Sequence, residues 1–407
     1  MSARAASAAS AATPVSLVPF AAVSCTYFAS VGLFNPYAPL WFKHLGFSTL
    51  AIGVLASLQA WTRVVAPYAW GWLADHTGRR VELLRLAALL AAVASIGLFF
   101  SERYGAVALC VGLLFLANGG IVPLSEAALA QHLQTAKGLD SVRYGRVRVW
   151  GSIGFIAAVL LFGRLLESFS IATFPWWMSG ALALLVLASL RLPRVAEAAP
   201  RADEGQAGVW AVLRQPAVAW FFAAVFFTVL AHTGLYAFFS LYLDALGYGK
   251  AAVGLLWAVG VAVEIGFFFL QGRFFHRFSP QGWLLLAAGL SVLRFAATAA
   301  GGGSVVVLVA AQALHAITFA AQHAACIALV NQHFPGRLRG RGQALYTTLG
   351  YGFSGVLGGV AGGALSERFG LASVFWAGAL MALLAMGCCW QLIRAHGPSA
   401  RPAVRRV

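Results

Sequence analysis

The sequence predicts an all-α membrane protein with twelve transmembrane helices in two pseudo-symmetric six-helix bundles. Three observations predict this fold: the composition, the spacing of the apolar segments and an internal repeat. Of the 407 residues, 61% are hydrophobic and 10% are charged, and the mean hydropathy is +0.82. Soluble domains average about 45–50% apolar and about 25% charged residues. An ordinary soluble domain is therefore excluded, and so is a disordered chain, which would be poor in apolar residues.

Apolar segments long enough to cross a bilayer recur along the whole chain. A helix needs about 20 apolar residues to span the hydrocarbon core, and lipid excludes spans with unsatisfied backbone groups. The segments are 17–42, 49–73, 81–101, 105–132, 147–166, 171–191, 217–243, 251–275, 282–300, 304–332, 343–365 and 372–394. We therefore predict two bundles, at 17–191 and 216–394, joined by a polar linker at 192–215. A flexible tail at 1–16 precedes the first bundle, and a basic tail at 395–407 follows the second.

The two halves of the chain repeat one motif. Residues 45–55 and 246–256 are identical at five of eleven positions, at an offset of 201. In each half the motif enters the second predicted helix. Internal repeats joined by a central loop are typical of secondary transporters, so we interpret the match as duplication.

The basic residues predict the orientation in the membrane. The chain has 28 Lys and Arg against 12 Asp and Glu, and 21 of the 28 fall on the side that holds the tails and the linker. Cytoplasmic loops carry such an excess. We predict a multi-pass protein of the cell inner membrane with both termini in the cytoplasm. The positive charge is then an orientation signal, so we expect no nucleic-acid partner.

Enzyme and metal motifs are not expected. The five cysteines lie in apolar stretches without metal or disulfide spacing. His315 and His323 stand about 12 Å apart along one helix, too far for a shared metal. Neither His-Glu-x-x-His nor Gly-x-Ser-x-Gly occurs, and the tails are too short for the signalling domain of a sensor. We expect no enzyme, no cofactor and no metal site, and a monomer whose partners are a small substrate, protons and lipid.

The turn after the second predicted helix carries a signature loop. It contains Gly71, Asp75, Gly78, Arg79 and Arg80. We expect the small residues to allow close helix approach, Gly78 to permit a tight turn, and Asp75 to cap a helix with an Arg as partner. The loop resembles the signature of the major facilitator superfamily. In that family it serves conformational gating and does not contact substrate.

Charged residues inside predicted spans are costly and usually functional. They are Arg63, Glu126, Glu264 and Arg294, with Arg148 near the start of the fifth segment. One positive charge is left over, and Arg binds carboxylates in a bidentate manner, so the count favours an anion. A purely structural Arg63–Glu126 pair remains open. Aromatic residues available to stack on a ring are Tyr27, Phe28, Phe155, Tyr236 and Trp257.

Several of these positions resemble lactose-permease-type proton symporters. The match implies substrate contacts for Glu126, for Arg148 in Gly-Arg-Val-Arg, and for the aromatic Phe155. Glu264 matches that family's glutamate on the eighth helix, and Arg294 matches its arginine on the ninth. The carboxylate that follows the helix-ten His in that family is Thr318 here, which disfavours a sugar.

The chain also resembles the 3-phenylpropionic acid transporter family over nearly its whole length. The likeness includes Ala231-His232 followed by Tyr236, Val263-Glu264, and Leu314-His315 with Thr318. It implies proton-coupled uptake of an aromatic carboxylate by alternating access. The alternatives are a proton-coupled sugar or nucleoside symporter and a drug or metabolite exporter of the same fold.

The tenth segment carries a polar stripe. Gln312, His315, Thr318 and Gln322 follow at spacings of three, three and four, which places them on one helix face. We expect this face to line a cavity. For proton coupling we expect Glu264 to exchange the proton with Arg294 and His315 beside it. His315 and His232 are alternative carriers, because imidazole titrates near neutral pH.

Overall fold

The computed structural model describes residues 16–100, 102–135, 138–193 and 209–396. The predicted linker lies mostly outside the described residues, as do both predicted tails apart from their ends next to the helices. Eleven helices of the described part have the length and hydropathy of membrane spans. A twelfth helix, at 339–369, is interrupted by a π-helical stretch at Tyr346–Phe353. Including it, the spans are α1 (Val18–His44), α2 (Thr49–Thr77), α3 (Arg80–Phe99), α4 (Tyr104–His132), α5 (Ser141–Phe169), α6 (Ile171–Leu190), α7 (Pro216–Ala245), α8 (Lys250–Arg277), α9 (Pro280–Gly301), α10 (Val305–His333), α11 (339–369) and α12 (Ala372–His396).

The predicted twelve-helix architecture is confirmed, with two small additions. A two-stranded antiparallel pair, β1 (Gln134–Thr135) and β2 (Gly138–Leu139), lies between α4 and α5. A short helix, Val209–Leu213, precedes α7. Within the first half α1 packs on α5 and α3 on α6, and within the second half α12 packs on α7 and α9.

The bundles meet along two helix pairs, α2 with α11 and α5 with α8. Both crossings rely on a glycine of the repeated motif. A Cβ at Gly53 would overlap the carbonyl oxygen of Gly359, and one at Gly254 would overlap that of Val159. Gly53 and Gly254 stand 201 residues apart, at the offset of the repeat. The duplicated glycine therefore permits the same close backbone approach in each half.

One face of the molecule is closed by contacts between the bundles. This closed face carries the α1–α2 turn (45–48), the α7–α8 turn (246–249) and the ends of α5 and α11. Nζ of Lys43 lies 2.7 Å from Oδ2 of Asp244, its equivalent in the repeat. The Ala251 amide of α8 donates to Oε2 of Glu167 on α5 at 2.7 Å.

The two copies of the repeat begin their second helix differently. Ser48 caps α2 by accepting a hydrogen bond from the Ala51 amide. Gly249 at the corresponding place before α8 has no side chain to do this. The Glu167 carboxylate supplies the missing acceptor from the opposite bundle, so this side-chain cap of α8 exists only while this face is closed.

The opposite face, where α1 begins and α12 ends, is open. Glu126 and Arg148 lie within spans, yet their side chains keep 37% and 42% of their accessible surface. Charged side chains at this depth stay exposed only if water reaches them. The cavity between the bundles thus opens to the face that holds the chain ends.

Candidate functional site

A cavity of about 220 Å³ lies between the two bundles, and we call it the aromatic chamber. Its walls come from α1, α5, α7, α8 and α10, so both halves contribute. The aromatic chamber is mostly apolar, with a few converging polar groups. Its lining residues are Phe28, Val31, Asn35, Ser152, Phe155, Leu235, Tyr236, Trp257, Gly260, Val261, Glu264, Gln312, His315 and Phe319.

A second cavity of about 240 Å³ adjoins it, and we call it the arginine chamber. Asn35, Tyr236 and Phe319 line both chambers, so the two are direct neighbours with these side chains between them. Arg63 of α2 is exposed in this space. The remaining lining residues are Ala56, Gln59, Ala60, Val229, Thr233, Ala237, Tyr351 and Gly355.

Arg294 is buried at the centre of the second bundle, with 1% of its surface exposed. Its Nη1 donates to Nδ1 of His315 and to Oγ1 of Thr318, both at 2.9 Å, and its Nη2 donates to Oε1 of Gln312 at 2.7 Å. Of the four residues of the predicted polar face of α10, Gln312 and His315 line the aromatic chamber, whereas Thr318 bonds to Arg294 and lines neither chamber. Gln322 instead donates to Sγ of Cys326.

Local helix geometry brings these α10 side chains together. A π-helical stretch, Ala316–Ala321, begins directly after His315. Such a stretch shifts the helix register and is frequent at functional sites. A similar stretch, Gly234–Phe238, follows His232 on α7 and contains Tyr236. The sequence pattern did not indicate either π-helical stretch.

Glu264 of α8 faces His315 across the aromatic chamber. Its Oε2 lies 3.8 Å from Nε2 of His315, and the two side chains are 22% and 8% exposed. Arginine is only a donor, so Nδ1 of His315 must accept from Arg294 and the neutral ring carries its hydrogen on Nε2. That hydrogen is on the ring nitrogen that lies near the Glu264 carboxyl, at a separation beyond a hydrogen bond. No ion pair joins Arg294 to Glu264 among the described residues.

His232 is the second buried imidazole of this region. Its Nδ1 lies 2.8 Å from the Thr228 carbonyl oxygen, which only accepts, so Nδ1 carries the hydrogen. Its Nε2 is buried without a hydrogen-bond partner. The ring packs against Phe295 and stands 6.5 Å from the ring of His315. His232 is therefore near Arg294 and the α10 side chains bound to it, but it forms no hydrogen bond with them.

Glu126 and Arg148 form an ion pair of 2.7 Å between α4 and α5. Arg148 also lies over the Phe28 ring, 5.6 Å from its centroid. A pair between Arg63 and Glu126 does not form: the partner of Glu126 is Arg148, and Arg63 projects into the arginine chamber instead. The alternative of a structural Arg63–Glu126 pair, left open by the charges alone, is therefore not the pairing found in the structure.

Three of the five predicted ring-stacking residues meet across the bundle interface. Trp257 of α8 stands 6.3 Å from Phe155 and 6.4 Å from Tyr236, measured between ring centroids. Its indole nitrogen donates to Oγ of Ser240 at 3.1 Å, which holds the ring in place. Phe155, Tyr236 and Trp257 together form an apolar wall that can receive a flat ring.

The signature loop lies on the open face, away from both chambers. Nη2 of Arg80 binds Oδ1 of Asp75 at 2.9 Å, and Gly78 ends α2 in the left-handed conformation at φ 64°. The expected cap is not formed by Asp75, which lies in the last turn of α2; Arg79 occupies the cap position of α3 without a side-chain hydrogen bond. The expected close approach at Gly71 is also wrong, because no other helix lies within 4 Å of a Cβ built there.

Two related six-helix bundles around a central cavity have the architecture of transporters of the major facilitator type. The chain belongs to the MFS_1-like family, whose sequence model matches residues 20–377. It is a multi-pass membrane transporter and not an enzyme.

Individual relatives agree with this assignment. A probable 3-phenylpropionic acid transporter of Escherichia coli (strain K12) is 31% identical over 366 residues, covering 89% of this chain and 94% of that protein. A maltose permease of Geobacillus stearothermophilus is 30% identical over 337 residues, covering 81% and 82%. The crystal structure of the nucleoside transporter NupG superposes with a TM-score of 0.82 at 19% identity, covering 93% of this chain and 98% of that one.

Proposed function

We propose that this protein is a proton-coupled symporter of a small organic anion, an aromatic carboxylate of the 3-phenylpropionate type. The observation that carries the proposal is the group formed by Glu264, His315 and Arg294 in the wall of the aromatic chamber. It places a titratable carboxyl beside a fixed N–H donor and near a fully buried cation.

Proton coupling needs a group whose protonation differs between the two access states. The Nε2 hydrogen of His315 stabilises the ionised form of Glu264, whereas burial favours the neutral form. The two side chains stand 3.8 Å apart, just beyond hydrogen-bond distance, so the effect of the donor on Glu264 depends on a small change in that separation. A small movement of α8 against α10 within the second bundle, accompanying the change of access state, alters that separation, and Glu264 then gains or loses a proton. His315 and His232 are less suited, since Arg294 occupies Nδ1 of the first and His232 does not contact the group.

The substrate class follows from the two chambers. Phe155, Tyr236 and Trp257 offer an apolar wall for a ring, Arg63 lines the arginine chamber, and Arg148 of the Glu126–Arg148 pair lies over Phe28 of the aromatic chamber. The first bundle thus supplies the cation for the anion, both bundles supply the wall for the ring, and the second bundle carries the proton. The Escherichia coli relative supports this substrate; the maltose permease supports the alternative of a sugar, and NupG resembles this chain in fold alone.

The open face is assigned to the cytoplasm, with both termini there, in the cell inner membrane. The excess of basic residues on that side supports this orientation. The state in the structure is then inward-facing. Asp75, Arg79 and Arg80 lie at this face between α2 and α3, so we assign the loop with Gly71 and Gly78 to gating.

A proteoliposome assay tests the proposed function. A pH-sensitive dye outside the vesicles reports proton movement after addition of 3-phenylpropionate, maltose or a nucleoside. Alkalinisation outside with 3-phenylpropionate alone is the expected result. Protein-free liposomes are the control, because a neutral aromatic acid crosses bilayers unaided. A signal with maltose or the nucleoside only would reject the anion, and counterflow of 3-phenylpropionate without proton movement would reject the coupling.

A further inference from the structure

We infer that Arg63 is the residue that receives the carboxylate of the transported anion, while the ring occupies the aromatic chamber. This inference rests on the proposed function and names the group that reads the charge of the substrate. It depends on which partners the three arginines Arg63, Arg148 and Arg294 already have.

Arg148 is not available for a second carboxylate. Its guanidinium is bound to Glu126 at 2.7 Å, so a substrate carboxylate there would face a like charge at close range. If the substrate carboxylate replaced Glu126 at Arg148, the free energy of binding would gain little. If both carboxylates stayed beside Arg148, their repulsion would weaken binding.

Arg294 is also unavailable. It is 1% exposed and its donors are directed to Gln312, His315 and Thr318. A ligand could reach it only by displacing side chains of α10. The one surplus positive charge expected from the sequence is therefore the charge of Arg63.

Arg63 has the opposite properties. It is exposed in the arginine chamber, and no carboxylate lies within ion-pair distance of it in the described residues. A charged arginine side chain that faces the bundle interior within a membrane span is destabilising unless water or an anion contacts it. A guanidinium in such a place binds a carboxylate through two parallel hydrogen bonds.

A second donor lies beside it. Gln59 donates through Nε2 to Oδ1 of Asn35 at 3.2 Å. This bond orients the Asn35 amide and leaves its Nδ2 hydrogens for another acceptor. Asn35 lines both chambers, with Tyr236 and Phe319. A ligand whose carboxylate is held by Arg63 and Asn35 therefore extends its apolar end past Tyr236 into the aromatic chamber.

The test compares the binding of an anion and of its neutral isostere by calorimetry on purified full-length protein. The probes are 3-phenylpropionate and 3-phenylpropanamide. Arg63→Gln should weaken the carboxylate at least tenfold and leave the amide within about threefold of wild type, because only a charge-assisted contact is lost. Arg63→Lys should recover part of the affinity for the carboxylate. Arg164→Gln, an exposed arginine of α5 outside both chamber linings, is the matched control and should behave as wild type.

Two results would overturn the role of Arg63 alone. Equal losses for the carboxylate and the amide in Arg63→Gln would mean that the side chain only shapes the cavity. Unchanged carboxylate binding in Arg63→Gln, with selective loss in Arg148→Gln, would move the anion to Arg148. If the wild-type protein binds neither probe, the proposed substrate class is rejected and the role of Arg63 with it, so the two failures are distinguishable.

Discussion

Nη1 of Arg294 lies 2.9 Å from Nδ1 of His315 and fixes which nitrogen of that imidazole carries hydrogen. The remaining N–H of His315 is on the nitrogen that lies 3.8 Å from the Glu264 carboxyl. Arg294 on α9 therefore determines, through His315 on α10, that Glu264 on α8 has an N–H donor near it. Three helices of one bundle are linked by this arrangement, which makes it sensitive to their relative movement.

The hydrogen-bonded group of Arg294, Gln312, His315 and Thr318 should also contribute to the stability of the folded protein. Replacing Thr318 by Val keeps the shape but removes one acceptor from a buried guanidinium, which costs about 1–3 kcal/mol in the free energy of unfolding. Thermal unfolding of the purified protein measures this as a lowered midpoint. Thr347→Val is the matched control, because that hydroxyl bonds only to the Gln343 carbonyl of its own helix. Equal midpoints for the two variants would show that Arg294 does not depend on Thr318.

The glycine crossing of α2 and α11 should be required for closure. A methyl group at Gly53 would overlap the Gly359 carbonyl oxygen, and neither backbone can yield easily. Gly53→Ala should lower the uptake rate at least tenfold while the Kd for substrate in detergent stays within about threefold. Gly180→Ala on α6, where a Cβ meets open space, should transport normally. Uptake at the wild-type rate in Gly53→Ala would mean that the two helices separate freely at this point.

Much of the fold follows from hydropathy and repeat alone. Each span needs a long apolar segment, so segment counting located all twelve helices. The repeated Leu-Gly motif also anticipated equivalent turns, since Gly46 and Gly247 both adopt positive φ at the same place in each half. The polar face of α10 was predictable because helical periodicity places Gln312, His315 and Thr318 together.

The partners of the charged residues were less predictable. Which arginine pairs with Glu126 depends on the distance between neighbouring helices, and sequence order does not encode that distance. The closing contacts were missed for a similar reason: Lys43–Asp244 and the Glu167 cap of α8 join residues that are far apart in sequence and unremarkable locally. The 201-residue offset between Lys43 and Asp244 was a usable signal, because equivalent positions meet near a pseudo-twofold axis.

The role of Glu264 is tested most directly by comparing two modes of transport in one variant. Glu264→Gln replaces the carboxyl with a neutral group that resembles its protonated form. In proteoliposomes carrying a pH gradient, this variant should fail to accumulate 3-phenylpropionate above the external concentration. Counterflow exchange, which needs no net proton transfer, should stay within about threefold of wild type. Glu367→Gln, an exposed acid at the end of α11 on the closed face, is the matched control and should accumulate normally. Accumulation by Glu264→Gln equal to that of wild type would contradict the assignment of this carboxyl as the proton carrier.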